Sequence, residues 1–99
     1  MKQSLIVLFS VLGLASAAFA DPLTFRANML PIFQSRCTLC HQAGGLLPDW
    51  TDYKTAFDLR NQLVYHVAVS RDMPMNNVTG MSDDERNAVV QWVDNGAAE

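Results

Sequence analysis

The stretch Cys37-Thr38-Leu39-Cys40-His41 holds both cysteines of the chain, two residues apart, with an imidazole directly after the second. Three chemistries use such a cluster: a disulfide, a zinc site, or thioether attachment of a haem. Structural zinc takes four ligands in a tetrahedron, and the adjacency of Cys40 and His41 suits a shared ion poorly. A redox-active pair of this spacing normally accompanies a βαβ pattern, and no strand-like run occurs in this chain. A plain disulfide across a two-residue gap would constrain little of the unfolded chain. C-x-x-C-H is the attachment signature of c-type haem. Two intervening residues let one backbone turn offer both sulfurs to one edge of the porphyrin, and the next residue then aims its imidazole at the iron. Cys37 and Cys40 are therefore expected to anchor one haem c, with His41 as the fifth iron ligand.

A sixth ligand has four candidates: Met73, Met75, Met81 and His66. Three of these are methionines in the loop Arg71–Met81, an unusual place for a residue that normally fills cores. Met73 is favoured because Pro74 follows it and would hold the chain extended just after the ligand. Apolar packing is the expected role of Met75 and Met81, and a partly exposed helix position that of His66.

These residues need a scaffold and a compartment. Lys2, the apolar run Leu5–Leu14 and the small-residue site Ala18-Phe19-Ala20 form the pattern of a secretory signal peptide over 1–20. An uncleaved anchor is the alternative, since an apolar run of about 20 residues spans a bilayer. Cleavage would leave one domain, 21–99, exported to the periplasm with no stable membrane insertion. That domain carries six basic residues (Arg26, Arg36, Lys54, Arg60, Arg71, Arg86) against ten acidic ones, a net charge of −4. With no basic patch, nucleic acid is excluded as a partner. A domain this short has a marginal core without a staple or a cofactor, and a planar apolar haem would supply what the side chains lack.

The periodicity predicts an all-α domain of about four short helices. The first, Leu23 to Ser35, puts Phe25, Met29, Ile32 and Phe33 on one face, and Pro31 should kink or split it. A glycine-rich loop leads to a short helix from Thr51 or Asp52 to Phe57. A longer helix, Leu59 to Ser70, carries Leu63, Val64 and Val67. The last has Ser82 as N-cap, Glu85 completing a capping box, Asp83 and Asp84 in the first turn, a stripe of Val89, Trp92 and Val93, and Gly96 as its stop.

With these elements the chain resembles a small class I cytochrome c. Pro31 to His41, with an aromatic (Phe33) four residues before the first cysteine, resembles the family's first helix and haem motif. Met73 to Ala97 resembles its distal segment, in which Met-Pro precedes a capped C-terminal helix bearing an aromatic, here Trp92. The same segment is similar to the cytochrome domain appended to certain membrane-bound bacterial urate oxidases. The resemblance implies a cytochrome c fold whose first and last helices cross near Phe33 and Trp92. It also implies Met73 as axial ligand, although Met75 stands where many members have a second proline. A further implication is a proline, Pro48, whose carbonyl accepts the Nδ1–H of the axial histidine and fixes its tautomer. Leu46, Leu47 and Trp50 are expected in the haem pocket. Trp50, Tyr53, Arg60 and Arg71 are candidate propionate partners, with a solvated helix face as the alternative for the arginines.

Motif and resemblance together imply electron transfer by a monomeric, non-enzymatic carrier whose iron is held on both faces. Its redox partner proteins would offer a basic or neutral docking surface to this acidic chain. The rival reading is a haem-based ligand sensor or peroxidase-like subunit, which needs an open or histidine-ligated sixth site.

Overall fold

The computed structural model describes residues 22–99; the expected signal peptide, 1–20, and Asp21 lie outside the described residues. All regular structure among the described residues is helical, with no strand. None of these helices is long and apolar enough to cross a membrane.

The chain enters through Thr24, whose hydroxyl accepts from the Ala27 N–H at 3.1 Å while its own N–H donates to Asn28 Oδ1 at 2.9 Å. A π-helical turn, Phe25–Met29, runs directly into α1, Leu30–Arg36. The change of register is how the helix absorbs Pro31. The Leu30 N–H reaches back five residues to the Phe25 carbonyl, so the wider turn comes just before the position whose N–H is missing. Phe25, Met29 and Phe33 are buried on one face, with Ile32 half-buried beside them.

Asp52 caps α2, Tyr53–Asp58, by accepting from the Thr55 N–H at 3.0 Å. Leu59 leaves helical geometry and separates α2 from α3, Arg60–Val64, which continues as a second π-helical turn, Tyr65–Val69. Leu63 and Val67 are buried there. The helix read from the sequence as Leu59 to Ser70 is thus one rod with a register change at its middle.

The last helix, α4, is Asp83–Asp94. Its Ser82–Glu85 capping box is complete in both directions. Its end is a Schellman motif: the Ala97 N–H donates to the Trp92 carbonyl at 2.8 Å and the Gly96 N–H to Val93 at 3.1 Å. Gly96 supplies the left-handed turn at φ +105°. The chain then folds back on the first helix, where the Ala98 and Glu99 carbonyls accept from the otherwise orphaned N–H groups of Phe25 and Arg26. Trp92 donates to Ala98 and the Tyr53 hydroxyl to Ala97. Phe33 and Trp92 meet edge-on at 6.4 Å between ring centroids, and Phe25 and Trp92 at 6.1 Å. The first and last helices therefore pack through aromatic side chains, and the core gathers around that contact.

Candidate functional site

The Cys37–His41 segment starts where α1 ends. The Cys37 N–H still donates to Phe33, and the Cys37 carbonyl then accepts from both Cys40 (3.2 Å) and His41 (2.9 Å). One turn thus carries both thiols and the imidazole. The cysteines are unbridged; Cys37 is half-buried and Cys40 exposed. Burial, with a smaller contribution from the Glu85 charge, pushes the Cys37 thiol up to about 11. His41 Nδ1 lies 2.8 Å from the Pro48 carbonyl. A carbonyl only accepts, so Nδ1 carries a proton, and in the neutral imidazole the lone pair is then on Nε2. The buried Trp50 ring stands 5.5 Å from the imidazole, and a turn in which Thr51 donates twice to the Asp49 carboxylate places it.

A cleft of about 280 Å³ opens beside this turn. Three stretches of chain line it: Cys37, Cys40, His41, Leu47, Pro48 and Trp50 from the motif and the loop after it; Leu63, His66 and Val67 from α3 and its π-helical extension; Met73, Pro74, Met75, Val78 and Thr79 from the loop before α4. Most of these side chains are apolar. Several remain open to solvent beside the cleft: Leu39 is 62% exposed, Met75 60% and Val78 65%. Two unpaired thiols, an imidazole with one nitrogen tied back, a thioether and uncovered apolar side chains around one cleft are a donor set and lining that fit a covalently held haem. Among the described residues no three His, Cys, Asp or Glu side chains converge as a metal cluster would require.

Three of the four candidates for a sixth ligand, Met73, Met75 and His66, line the cleft, and one does not. Met81 is buried in the core (3% exposed) and is absent from the cleft lining. Met75 lines the cleft but is largely exposed. Met73 lines it half-buried, with its backbone held at both ends: its N–H donates to the His66 carbonyl at 3.2 Å and its carbonyl accepts from Arg86 at 2.8 Å. His66 also faces the cleft, its Nδ1 2.9 Å from an Asp72 carboxylate oxygen that Ser70 Oγ also approaches at 2.7 Å. The hydrogen bonds from Ser70 and His66 hold the Asp72 carboxyl below its ordinary value.

Other expected pocket residues lie elsewhere. Leu46 is fully exposed and outside the lining, whereas its neighbour Leu47 is in it. The Tyr53 hydroxyl is spent on Ala97. Arg60 donates to Phe57 and covers its ring at 4.2 Å, and Arg71 pairs with Asp83 at 2.8 Å. Of the four candidate propionate partners only Trp50 lines the cleft.

Sequence reasoning missed four residues that hold the 71–81 loop: Arg86, Asn77, Arg36 and Thr79. Arg86, only 4% exposed, donates through Nη1 to the Val67 and Met73 carbonyls and through Nη2 to Asn77 Oδ1. Asn77 bridges on to Met81, accepting from its N–H and donating to its carbonyl. Arg36 donates to the Thr79 carbonyl at 2.6 Å and pairs with Glu85, while the Thr79 hydroxyl returns a bond to the Arg36 carbonyl. The signal for Arg86 was present: it stands three residues before Val89, in register with the apolar stripe of α4, and a charged residue there must find partners when buried. The loop these residues hold is strained, with Arg71, Asn76 and Asn77 all at positive φ.

No protein-family model matches the chain, and no curated protein or solved structure matches it.

Proposed function

We propose that residues 21–99 form a small class I cytochrome c that works as a periplasmic electron carrier. Cys37 and Cys40 would attach one haem c, and His41 and Met73 would hold its iron. The observation that carries this reading is the shared cleft: both thiols, an Nδ1-tethered His41 and the half-buried Met73 line the same largely apolar space. Bound haem supplies a one-electron iron couple whose potential a thioether ligand raises. The chain's own contribution is positional. The Pro48 carbonyl holds the imidazole in one tautomer and raises its basicity as a ligand. The Trp50 ring flanks it, and the helices exclude water from one side of the cleft. No side chain is asked to perform acid–base catalysis. The acidic chain docks on basic or neutral surfaces of its redox partners, so its electron-transfer rate falls as salt is added.

One observation favours a second reading, a ligand sensor or peroxidase-like subunit. His66 lines the cleft and Asp72 orients it, which is the arrangement of an imidazole that ligates or exchanges protons. The absorption spectrum of the exported protein separates the two. Sharp c-type bands with the weak far-red band of a methionine–iron(III) bond support the His41/Met73 carrier. Haem bands without it move the assignment to His66 or an open site. Absence of haem, where the maturation machinery is active, overturns both. Met73→Ala should abolish the far-red band and open the site to carbon monoxide and cyanide; a native spectrum in that variant refutes the ligand assignment.

A further inference from the structure

Arg86 is the one charged residue buried among the described residues. As placed, its guanidinium is costly to desolvate. Its acceptors are neutral carbonyls and an amide rather than a carboxylate, and its Nε finds no acceptor among the described residues. A hydrophobic residue of similar volume at this point of α4 would avoid the desolvation of a guanidinium. What such a residue could not do is hold three segments at once. Nη1 bridges the Val67 carbonyl, at 2.7 Å in the helix that floors the cleft, to the Met73 carbonyl at 2.8 Å. Nη2 meets Asn77 Oδ1 at 3.3 Å, beyond the Pro74 turn. The planar fork fixes the relative position of these groups in a way that a point charge cannot.

We propose that Arg86 is the positioning residue for the Met73 thioether: its guanidinium fastens the Met73 carbonyl to the Val67 helix and, through Asn77, restrains the far side of the loop, so that the sulfur is presented to the cleft against loop strain. This rests on the reading of Met73 as an axial ligand. The loop gains from such a fastening because Arg71, Asn76 and Asn77, which surround Met73 in sequence, sit in left-handed conformations, a region that asparagine tolerates but that is unfavourable for Arg71. Arg36 and Thr79 secure the loop further along, but neither they nor the backbone bond to His66 reaches the Met73 carbonyl.

The test uses the haem-loaded protein and three readouts: the far-red ferric band, the affinity for added imidazole, and the denaturation midpoint. Arg86→Met should keep covalent haem, lose most of the far-red band at neutral pH and bind imidazole at least tenfold more tightly. Arg86→Lys should recover part of the band. Val89→Ala, which cuts the core on the same helix and leaves the side-chain hydrogen bonds to the loop in place, should lower the midpoint while leaving the band and the imidazole affinity within twofold. An Arg86→Met protein with unchanged band and imidazole affinity overturns the proposal, as does a Val89→Ala protein that loses the band equally. If Arg86→Met does not accumulate, Asn77→Gly takes its place, since glycine keeps the positive φ while removing the amide. It should tighten imidazole binding at least threefold, and no change overturns the proposal. Met73→Ala separates the ligand role of Met73 from the positioning role of Arg86. A band that survives Met73→Ala refutes the ligand reading and the positioning role with it. A band lost in Met73→Ala but intact in Arg86→Met refutes the positioning role alone.

Discussion

Two loops border the cleft, and they are held in different ways. The 42–48 loop is secured almost wholly by its neighbours in sequence: Gly45 N–H to the Gln42 carbonyl, Gln42 to Leu39, and His41 to Pro48. Gly44 takes φ +80°, and Leu46 points into solvent. The 71–81 loop has local turns of its own, Asn77 N–H to Pro74, Val78 to Met75 and Gly80 to Asn77, and is in addition fastened by side chains from two helices, Arg36 of α1 and Arg86 of α4, with Asn77 as an internal strut. The first loop delivers a backbone carbonyl to a nearby imidazole, which a short tether accomplishes. The second delivers a side chain to a cleft from a segment with three left-handed residues, and contacts from two helices supplement its local turns.

That contrast sets the expected order of mutational effects. Arg86→Met leaves the buried Val67 carbonyl and the half-buried Met73 carbonyl short of a donor while sparing the desolvation of a guanidinium, and should cost about 1–3 kcal/mol in chemical denaturation; a loss no larger than that of a surface substitution would erase the difference between the loops. Arg36→Ala removes the Thr79 bond and the partly exposed pair with Glu85, for about 1–2 kcal/mol. Pro48→Ala keeps the backbone carbonyl that His41 uses. It should therefore leave the haem spectrum unchanged and cost less than about 1 kcal/mol through the freer unfolded chain. Leu46→Ser should fall within about 0.5 kcal/mol of the parent, because nothing covers the side chain.

Acid sharpens the same comparison. Burial works to raise the Glu85 carboxyl, but the Ser82 N–H and the Arg36 guanidinium outweigh it and hold the group below its ordinary value of 4.5. A carboxyl depressed in the folded state contributes stability that is fully present above its unfolded value and is lost as pH falls through the folded one. Between these values the Arg36–Glu85 support of the 71–81 loop should weaken, while the 42–48 loop has no such carboxylate. Glu85→Gln should remove that component from the acid limb of a stability titration, and an acid limb identical to the parent's would show that the pair contributes nothing.

The local elements were legible in the sequence because their signals are local. The Ser82–Glu85 capping box, the Gly96 stop, the Asp52 cap and the Phe25–Met29–Phe33 face are each set by spacings of three or four residues. Pro31 announced a disturbance but not its form. A missing N–H can be met by a kink, a break or a widened turn, and packing of Phe25 and Met29 against α4 coincides with the last of these. The proximal half of the cleft was nearly as readable, since Cys37, Cys40, His41 and Pro48 lie within twelve consecutive residues. The distal half was less so. The Met73-Pro74 pair was visible, but not the company it keeps, because His66 beside Asp72 and the Arg86 fork depend on how α3 and α4 cross behind the loop.

By itself, then, the amino-acid sequence determined the helical class, the helix ends and a thiol–thiol–imidazole turn, all consequences of backbone geometry over a few residues. Only the tertiary structure decided that Met73 and Met75 face the cleft and that Met81 is core. It likewise decided that Leu46 stands outside the lining, that Tyr53, Arg60 and Arg71 are committed elsewhere, and that Arg86 is buried. Those outcomes turn on the competition among distant groups for one donor, one acceptor or one patch of apolar surface, and that competition is settled only when the helices pack.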